Sequence, residues 1–384
     1  MRERGLVGAF WPSRRERLVL QTVLAEPARA LESWQELRLE LDIQTLEDTA
    51  FGALPLVYRR LETMGVDDPD LPRLKGIYRH TWVTNNLLLE RLQATAEVLR
   101  AAEVPMLLVG TIGAAVRYYD TLGLRPTGYL SVLVKQVDWL QAIRALGKAG
   151  WSSRGGSRPP GTAPLPLFDD AGRACLLRTR LAPEFVQAGE PAEAAFWDAA
   201  VDVDLDGLQI RALPPTDDLL AIVITGARAN RVPSLQWIVD SAMIVRTPEQ
   251  IDWQHLYRIS VEGGQGLRLR DALLYLGRLL GYAPAPTVVE QLERRSPSRR
   301  ERLVHATMST DVPWLGSLPD AVGEHLAATA GTSAWATAGA FPAFLRERWQ
   351  VPSSRQLPAA VGRRAVRTLG GHRGGTRGSG QGPG

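Results

Sequence analysis

The sequence predicts an α/β (α+β) fold, with a small mixed sheet of four or five strands held between helical layers. Three observations predict it. Met106-Leu107-Leu108-Val109 is a short apolar run closed by Gly110, the pattern of a buried strand ending in a tight turn. Tyr129–Val134 is β-rich and alternating, a second strand. Long stretches on either side, above all Leu71–Ala102 and Gly266–Tyr282, carry leucines at helical spacing.

The elements follow in order. Residues 1–13 read as a loosely ordered lead. Arg14–Leu24 and Pro27–Leu41 read as helices with charges between their apolar positions, and Ile43–Thr63 continues the pattern through Leu46, Phe51, Leu54, Val57, Tyr58 and Leu61. Pro69 marks a turn. The Leu71–Ala102 helix is expected to break near Thr84-Asn85-Asn86. After the first strand, Ile112–Tyr119 is a helix, and Gly123, Pro126 and Gly128 make Leu122–Gly128 a loop. Trp139–Ala149 is a helix stopped by Gly150. Trp151–Pro166, rich in Gly, Pro, Ser and Arg, is a loop. Leu165–Asp169 and Arg173–Arg180 form a hairpin across Asp170-Ala171-Gly172.

Val201–Gly207 puts Asp202, Asp204 and Asp206 on one face of a strand and apolar residues on the other, an edge strand with a solvated acidic side. Its alternative is a displaced metal site at Asp202 and Asp204. Leu213–Leu220 starts a helix, with Thr216 as its cap and Asp217 and Asp218 in the first turn near the positive end of the dipole. Helices follow at Ser234–Val245, from Ile251-Asp252-Trp253, and at Gly266–Tyr282. Residues 287–351 read as further helices carrying Trp314, Trp335 and Trp349. The organisation is a helical region (1–103), a central core (104–212), a second helical region (213–351) and a basic, Gly-rich, disordered tail (352–384).

Composition narrows the function classes. At 45% hydrophobic and 22% charged over 384 residues, the chain is an ordinary globular protein of more than one region. No run reaches the eighteen apolar residues of a membrane span, and no signal peptide is read, so a cytoplasmic location is expected. A single cysteine, Cys175, excludes an internal disulfide and sits in an apolar run, as a buried structural thiol would. Six arginines and no acid lie in residues 352–384; removing them from the formal +4 leaves about −2 for the rest. The basic character therefore belongs to the tail, and nucleic-acid binding is expected at most weakly through it. The histidines at 80, 255, 305, 325 and 372 show no metal-binding spacing, and no phosphate-binding Gly-rich motif is present.

The stretch from 104 to 139 carries a resemblance. It is similar to the bacterial uncharacterised nucleotidyltransferase family, within the polymerase-β-like nucleotidyltransferase superfamily. That family reads L-K-G at the first strand's end, then a helix ending in an aromatic pair, then G-L-R-P, then D-I-D-L-L-V. Here the frame reads Leu108-Val109-Gly110, Arg117-Tyr118-Tyr119, Gly123-Leu124-Arg125-Pro126 and Tyr129-Leu130-Ser131-Val132-Leu133-Val134. The similarity runs from about Leu41 to Pro286, through LPLVYRRLE, LPPTDDLL and SLQWIVDSAMIV, in which Trp237 and Asp240 match the family while Gln236 replaces a basic residue.

The chemistry departs from the frame. Tyr129 and Ser131 stand at the family's two metal-binding aspartates, Val109 at its lysine, and Leu176 and Arg178 at a later acid and histidine. Mg²⁺ needs hard oxygen ligands, usually carboxylates, to organise phosphoryl chemistry. Asp-x-Asp on a strand supplies two on one face; here that face carries a phenol and a hydroxyl. No catalytic residue is therefore assigned, and no cofactor is expected. The resemblance implies a cleft bordered by Gly110, Thr111, Arg117, Arg125, Tyr129, Ser131 and Asp240. It leaves a degenerate member that is a binding or scaffold protein for a small molecule, peptide or protein, or that does altered chemistry in the old cleft, with an active nucleotidyltransferase using Mg²⁺ and an NTP as the alternative. Arg125, with Arg178, is expected to hold an anion unless a local acid such as Asp120 takes it.

Overall fold

The computed structural model of the chain describes residues 11–40, 51–153, 164–182, 189–205, 207–228, 235–247, 249–309, 318–329, 332–349 and 351–363. The first part (43–50) of the expected Ile43–Thr63 helix, most of the loop after Trp151, Asp206 and residues 364–384 of the tail lie outside them. Residues 352–363, expected to belong to a disordered tail, are instead ordered, because Leu357 and Ala360 are buried in a small core with Leu345 and Trp349.

Helices α1 (Arg14–Leu24) and α2 (Pro27–Glu40) open the chain. Ser13 and Glu16 form a capping box on α1, each satisfying the other's backbone N–H. Helices α3 (Leu54–Thr63) and α4 (Leu71–Ala101) follow. The expected break at Thr84-Asn85-Asn86 does not occur: α4 runs unbroken for 31 residues. The polar triplet is absorbed without breaking the helix. Thr84 and Asn86 hydrogen-bond the carbonyls of His80 and Trp82 one turn back. Asn85, wholly buried, donates to the carbonyls of Leu122 (2.6 Å) and Arg125 (2.7 Å) and accepts from Thr127 Oγ1. It acts as a brace for the 122–127 loop.

Strand β1 (Met106–Leu108) leads through Gly110 to α5 (Thr111–Tyr118), and β2 (Tyr129–Val134) precedes α6 (Trp139–Lys148). Strands β3 (Leu165–Phe168) and β4 (Ala174–Arg178) form the expected hairpin, with Pro166 tolerated because β3 is an edge. Helix α7 (Gly189–Ala199) leads to β5 (Val201–Leu205) and β6 (Leu208–Ala212). The described sheet has six strands, in the order β3-β4-β2-β1-β6-β5, rather than the expected four or five. The added strand is β6, which returns along β5 after a turn at Gly207, whose φ of +85° suits glycine. The centre is mixed: β1 runs antiparallel to β2 and parallel to β6, and β2 runs parallel to β4.

The C-terminal half is helical: α8 (Pro215–Gly226), α9 (Gln236–Arg246), α10 (Trp253–Glu262), α11 (Gly266–Leu280), α12 (Pro286–Arg294), α13 (Arg299–Ser309), α14 (Leu318–Ala328) and α15 (Ala334–Trp349). Thr216 does not cap α8. The cap falls two residues earlier, at Pro214 with Pro215 in the first turn, and Thr216 Oγ1 instead accepts from the Asp252 N–H at 2.9 Å, tying α8 to the start of α10.

Two apolar cores flank the sheet, as strand alternation requires. Leu130, Val132, Val134, Cys175 and Leu177 face one core with α4 and α6. The Cys175 thiol is fully buried there, and burial pushes its pKa up to about 12, so it is a structural residue. Leu107, Val109 and Leu133 face the other core, which joins α1, α2 and α3 to α8, α9 and α11. The cavity described below opens on this second face.

Asn85→Ala removes two donors and one acceptor from a dry site and strands two loop carbonyls. It is expected to cost about 2–3 kcal/mol in urea unfolding, whereas Asn86→Ala on the exposed side should stay within about 0.5 kcal/mol.

Candidate functional site

A cavity of about 300 Å³ lies between the sheet and the helices α8 and α9. The turn after β1 forms one wall through Val109, Gly110 and Thr111. Gly110 sits at φ +76°, a conformation that glycine adopts without a Cβ penalty, and Thr111 Oγ1 donates to the Tyr129 carbonyl at 3.0 Å. Tyr129 and Ser131, on alternate positions of β2, face the space together with Arg178 of β4. Arg178 Nε donates to Ser131 Oγ at 2.9 Å. Where the resemblance implies a metal-binding carboxylate, the chain thus has a hydroxyl accepting from a guanidinium.

The opposite wall is built from Asp218, Thr225 and Gly226 of α8 and from Gln236, Trp237 and Asp240 of α9. The two helices pack closely at Gly226, where a Cβ would fall 2.1 Å from that of Trp237. Trp237 is core, as expected, with Trp11 tilted against it at 6.4 Å.

Two buried clusters fix these walls. Tyr118 and Arg117 both donate to Asp218 Oδ2, at 2.7 and 2.6 Å. Tyr119 donates to Asp240 Oδ1 at 2.5 Å, while Arg125 grips the same carboxylate with Nε to Oδ1 at 3.0 Å and Nη2 to Oδ2 at 2.6 Å. Burial raises the Tyr118 and Tyr119 phenols, and the adjacent carboxylates raise them further, so both stay protonated donors. Burial also pushes Asp218 up to about 6, with Arg117 and Tyr118 pulling it only part of the way back.

The expected site residues separate accordingly. Gly110, Thr111, Arg125, Tyr129, Ser131 and Asp240 border the cavity, as do the altered positions Val109 and Arg178. Arg117 is not in the lining; it is turned to Asp218 and the Leu213 carbonyl. Arg125 is paired, but with Asp240, 115 residues away, rather than with Asp120, and its Nη1 donates to the Pro126 carbonyl at 3.1 Å. Burial alone would lower its pKa, but Asp240 outweighs that and holds the guanidinium charged. It braces the wall through Asp240 while still bordering the cavity. Asp240 is the buried hydrogen-bond partner expected of it. Asp202 and Asp204 lie exposed on the edge strand β5, with β6 and β1 between them and β2. Asp204 accepts from the Gly207 N–H and from Gln209 within its own hairpin.

Three residues of the lining carried no signal in the sequence. Arg228, just beyond α8, is 1% exposed and bonded to Glu324 of α14. Glu324 also accepts from Arg348 of α15, Nε to Oε2 at 2.5 Å. This Arg–Glu–Arg bridge brings the last helices onto the cavity. Its partners are 96 and 24 residues apart, beyond the reach of any local pattern.

The model of the family described as uncharacterised nucleotidyltransferase matches residues 49–281. The chain belongs to that family. No curated protein matches it. Among solved structures, it is similar to an antigenic nucleotidyltransferase-like protein from Paracoccidioides brasiliensis, at 12% identity and a TM-score of 0.34, over 55% of this chain and 94% of that one. The matched segment contains both Tyr–Asp–Arg clusters and ends before Glu324 and Arg348.

Two outcomes follow from the clusters. Arg125→Ala leaves the buried Asp240 carboxylate with only Tyr119, and is expected to cost about 3–5 kcal/mol in denaturant unfolding. The Arg125→Ala/Asp240→Leu pair should recover a large part of that loss. For Asp218, the folded state binds the proton more tightly than the unfolded chain. Its contribution to stability should therefore fall as pH rises from about 4 to about 6 and be flat above. The stability difference between wild type and Asp218→Asn, measured across that window, should carry this slope.

Proposed function

We propose that this chain is a member of its family that holds a small anionic molecule in the cavity and has given up metal-dependent nucleotidyl transfer at β2. The observation that carries the reading is the Arg178–Ser131 contact at 2.9 Å. The residues present do not suit Mg²⁺. The ion prefers carboxylate and phosphate oxygens, and here it would meet a phenol, a hydroxyl already accepting from an arginine, and a fixed positive charge. Asp218 and Asp240 are each engaged by an arginine. Among the described residues no group of three His, Cys, Asp or Glu is arranged to hold a metal.

Charge favours an anion. Among the described residues, Arg125, Arg178, Arg228 and Arg348 line the space with Asp218, Asp240 and Glu324. A guanidinium in a partly apolar cavity suits a phosphate or carboxylate group, which it can engage in two hydrogen bonds. Ligand binding of this kind fits a sensing or scaffold role, and the ligand could equally be the anionic end of a peptide.

A second reading is transfer of an NMP group from an NTP to a small molecule or peptide. What favours it is that Asp218 and Asp240 both border the cavity. Calorimetry separates the two. The binding reading expects inorganic phosphate or ADP to bind without Mg²⁺, with at least tenfold loss in Arg178→Gln. Micromolar ATP binding that requires Mg²⁺ and disappears in Tyr129→Ala would overturn it, and its loss in Asp218→Asn would point to the transfer reading.

A further inference from the structure

Helix α4 turns Asn85 inward to brace the 122–127 loop, which leaves the residues around it on the outward side. There Trp82, Val83 and Leu87 are 48%, 50% and 46% exposed. Trp82 and Asn86 are one turn apart, as are Val83 and Leu87, so the four adjoin as one patch. The Asn86 amide is folded back onto the Trp82 carbonyl at 2.7 Å. Arg79 stands one turn before the patch and Glu90 one turn after it, both exposed. Neither is held in an ion pair among the described residues. Positions 79, 83, 86 and 90 recur at four, three and four residues, the spacing of a helix–helix seam, with Trp82 and Leu87 beside it.

We propose that this face binds the same face of a second copy of the chain, with the two α4 helices antiparallel about a two-fold axis that passes between Thr84 and Asn85. In that arrangement the face is its own complement. Trp82 meets Leu87 of the partner subunit, Val83 meets Asn86 of the partner subunit, and Arg79 meets Glu90 of the partner subunit. The axis repeats each contact, as an isologous interface requires. Lys75, also exposed, comes within a turn of Glu90 of the partner subunit and Glu97 of the partner subunit, so the basic half of the face lies on the acidic half. A parallel pair would set arginine against arginine and glutamate against glutamate, which repel. Burial of the tryptophan and leucine supplies the attraction, and tryptophan is a frequent anchor at protein interfaces. The Arg79–Glu90 pairs fix direction and register more than strength. A different protein would need an independent match to this pattern, whereas a face with opposite charges at equal distances from one central point matches itself. The seam covers about three helical turns, a small contact that suits a weak and reversible dimer. None of these residues lines the cavity beside α8 and α9, so the pairing does not rest on what that cavity binds.

The test is sedimentation velocity on the full chain at about 5 to 500 μM, a range that brackets a micromolar dissociation constant. Wild type should pass from monomer to dimer as concentration rises. Trp82→Glu sets an acid against Leu87 of the partner subunit and should raise the dissociation constant about tenfold or more. Arg79→Glu and Glu90→Arg should each raise it about fivefold, because the axis places two like-charged pairs across the seam. An equimolar mixture of those two variants restores opposite charges and should associate within about twofold of wild type, as should Arg79→Glu/Glu90→Arg. All three positions are exposed, so circular dichroism spectra should be unchanged. A wild type that stays monomeric throughout overturns the proposal and leaves the face to a different partner. A dimer that Trp82→Glu leaves intact overturns it by placing the contact elsewhere on the surface. Charge variants that associate like wild type, or a mixture that associates no better than its components, overturn the antiparallel pairing.

Discussion

Two carboxylates hold the molecule's halves in register. Asp218 on α8 and Asp240 on α9 reach across to the consecutive tyrosines Tyr118 and Tyr119 at the end of α5, and each also takes an arginine from the central segment. These contacts join residues 100 or more positions apart. They are buried, so each group depends on the others: a carboxylate without its arginine, or a phenol without its acceptor, would face the full cost of desolvation. The apolar core beside them supplies bulk attraction but little direction. The clusters supply the direction, and so determine where the cavity walls stand.

That dependence explains the separate fates of the arginines. A strand bearing two carboxylates would have offered Arg125 a nearby partner. With Tyr129 and Ser131 on β2 instead, the nearest acid that fits its fork is Asp240, which it grips from both oxygens. Arg178 comes in from β4, two register positions along the same sheet face, and its Nε meets the Ser131 hydroxyl. On this face of the sheet the Ser131 hydroxyl accepts from a guanidinium, and Tyr129 lies beside it.

Much of the fold was legible in the sequence because its signals are local. The apolar run before Gly110, the alternation of Tyr129–Val134 and the leucine spacing of α11 each report on a few neighbouring residues, and each marks the element found. The misses share a physical cause, a distant partner overriding a local preference. Asn85 reads as a helix breaker until the carbonyls of Leu122 and Arg125 are brought to it. Thr216 reads as a cap until Asp252 claims its hydroxyl and two prolines move the helix start. The side of the site formed by the central segment could be read from its motif frame. Arg228, Glu324 and Arg348 could not, because an arginine at the end of one helix looks the same on paper whether it meets water or a glutamate 96 residues later.

The Arg–Glu–Arg bridge also sets an order of events during synthesis. The family-matched segment ends at residue 281, so its sheet and helices can leave the ribosome well before Glu324 and Arg348 do. Until then Arg228, placed for burial, has neither its glutamate nor the helices that shield it. Burying a guanidinium without its counter-charge is costly, so the burial of Arg228 is tied to the arrival of Glu324. The last wall of the cavity is raised only when α14 and α15 pack against α8.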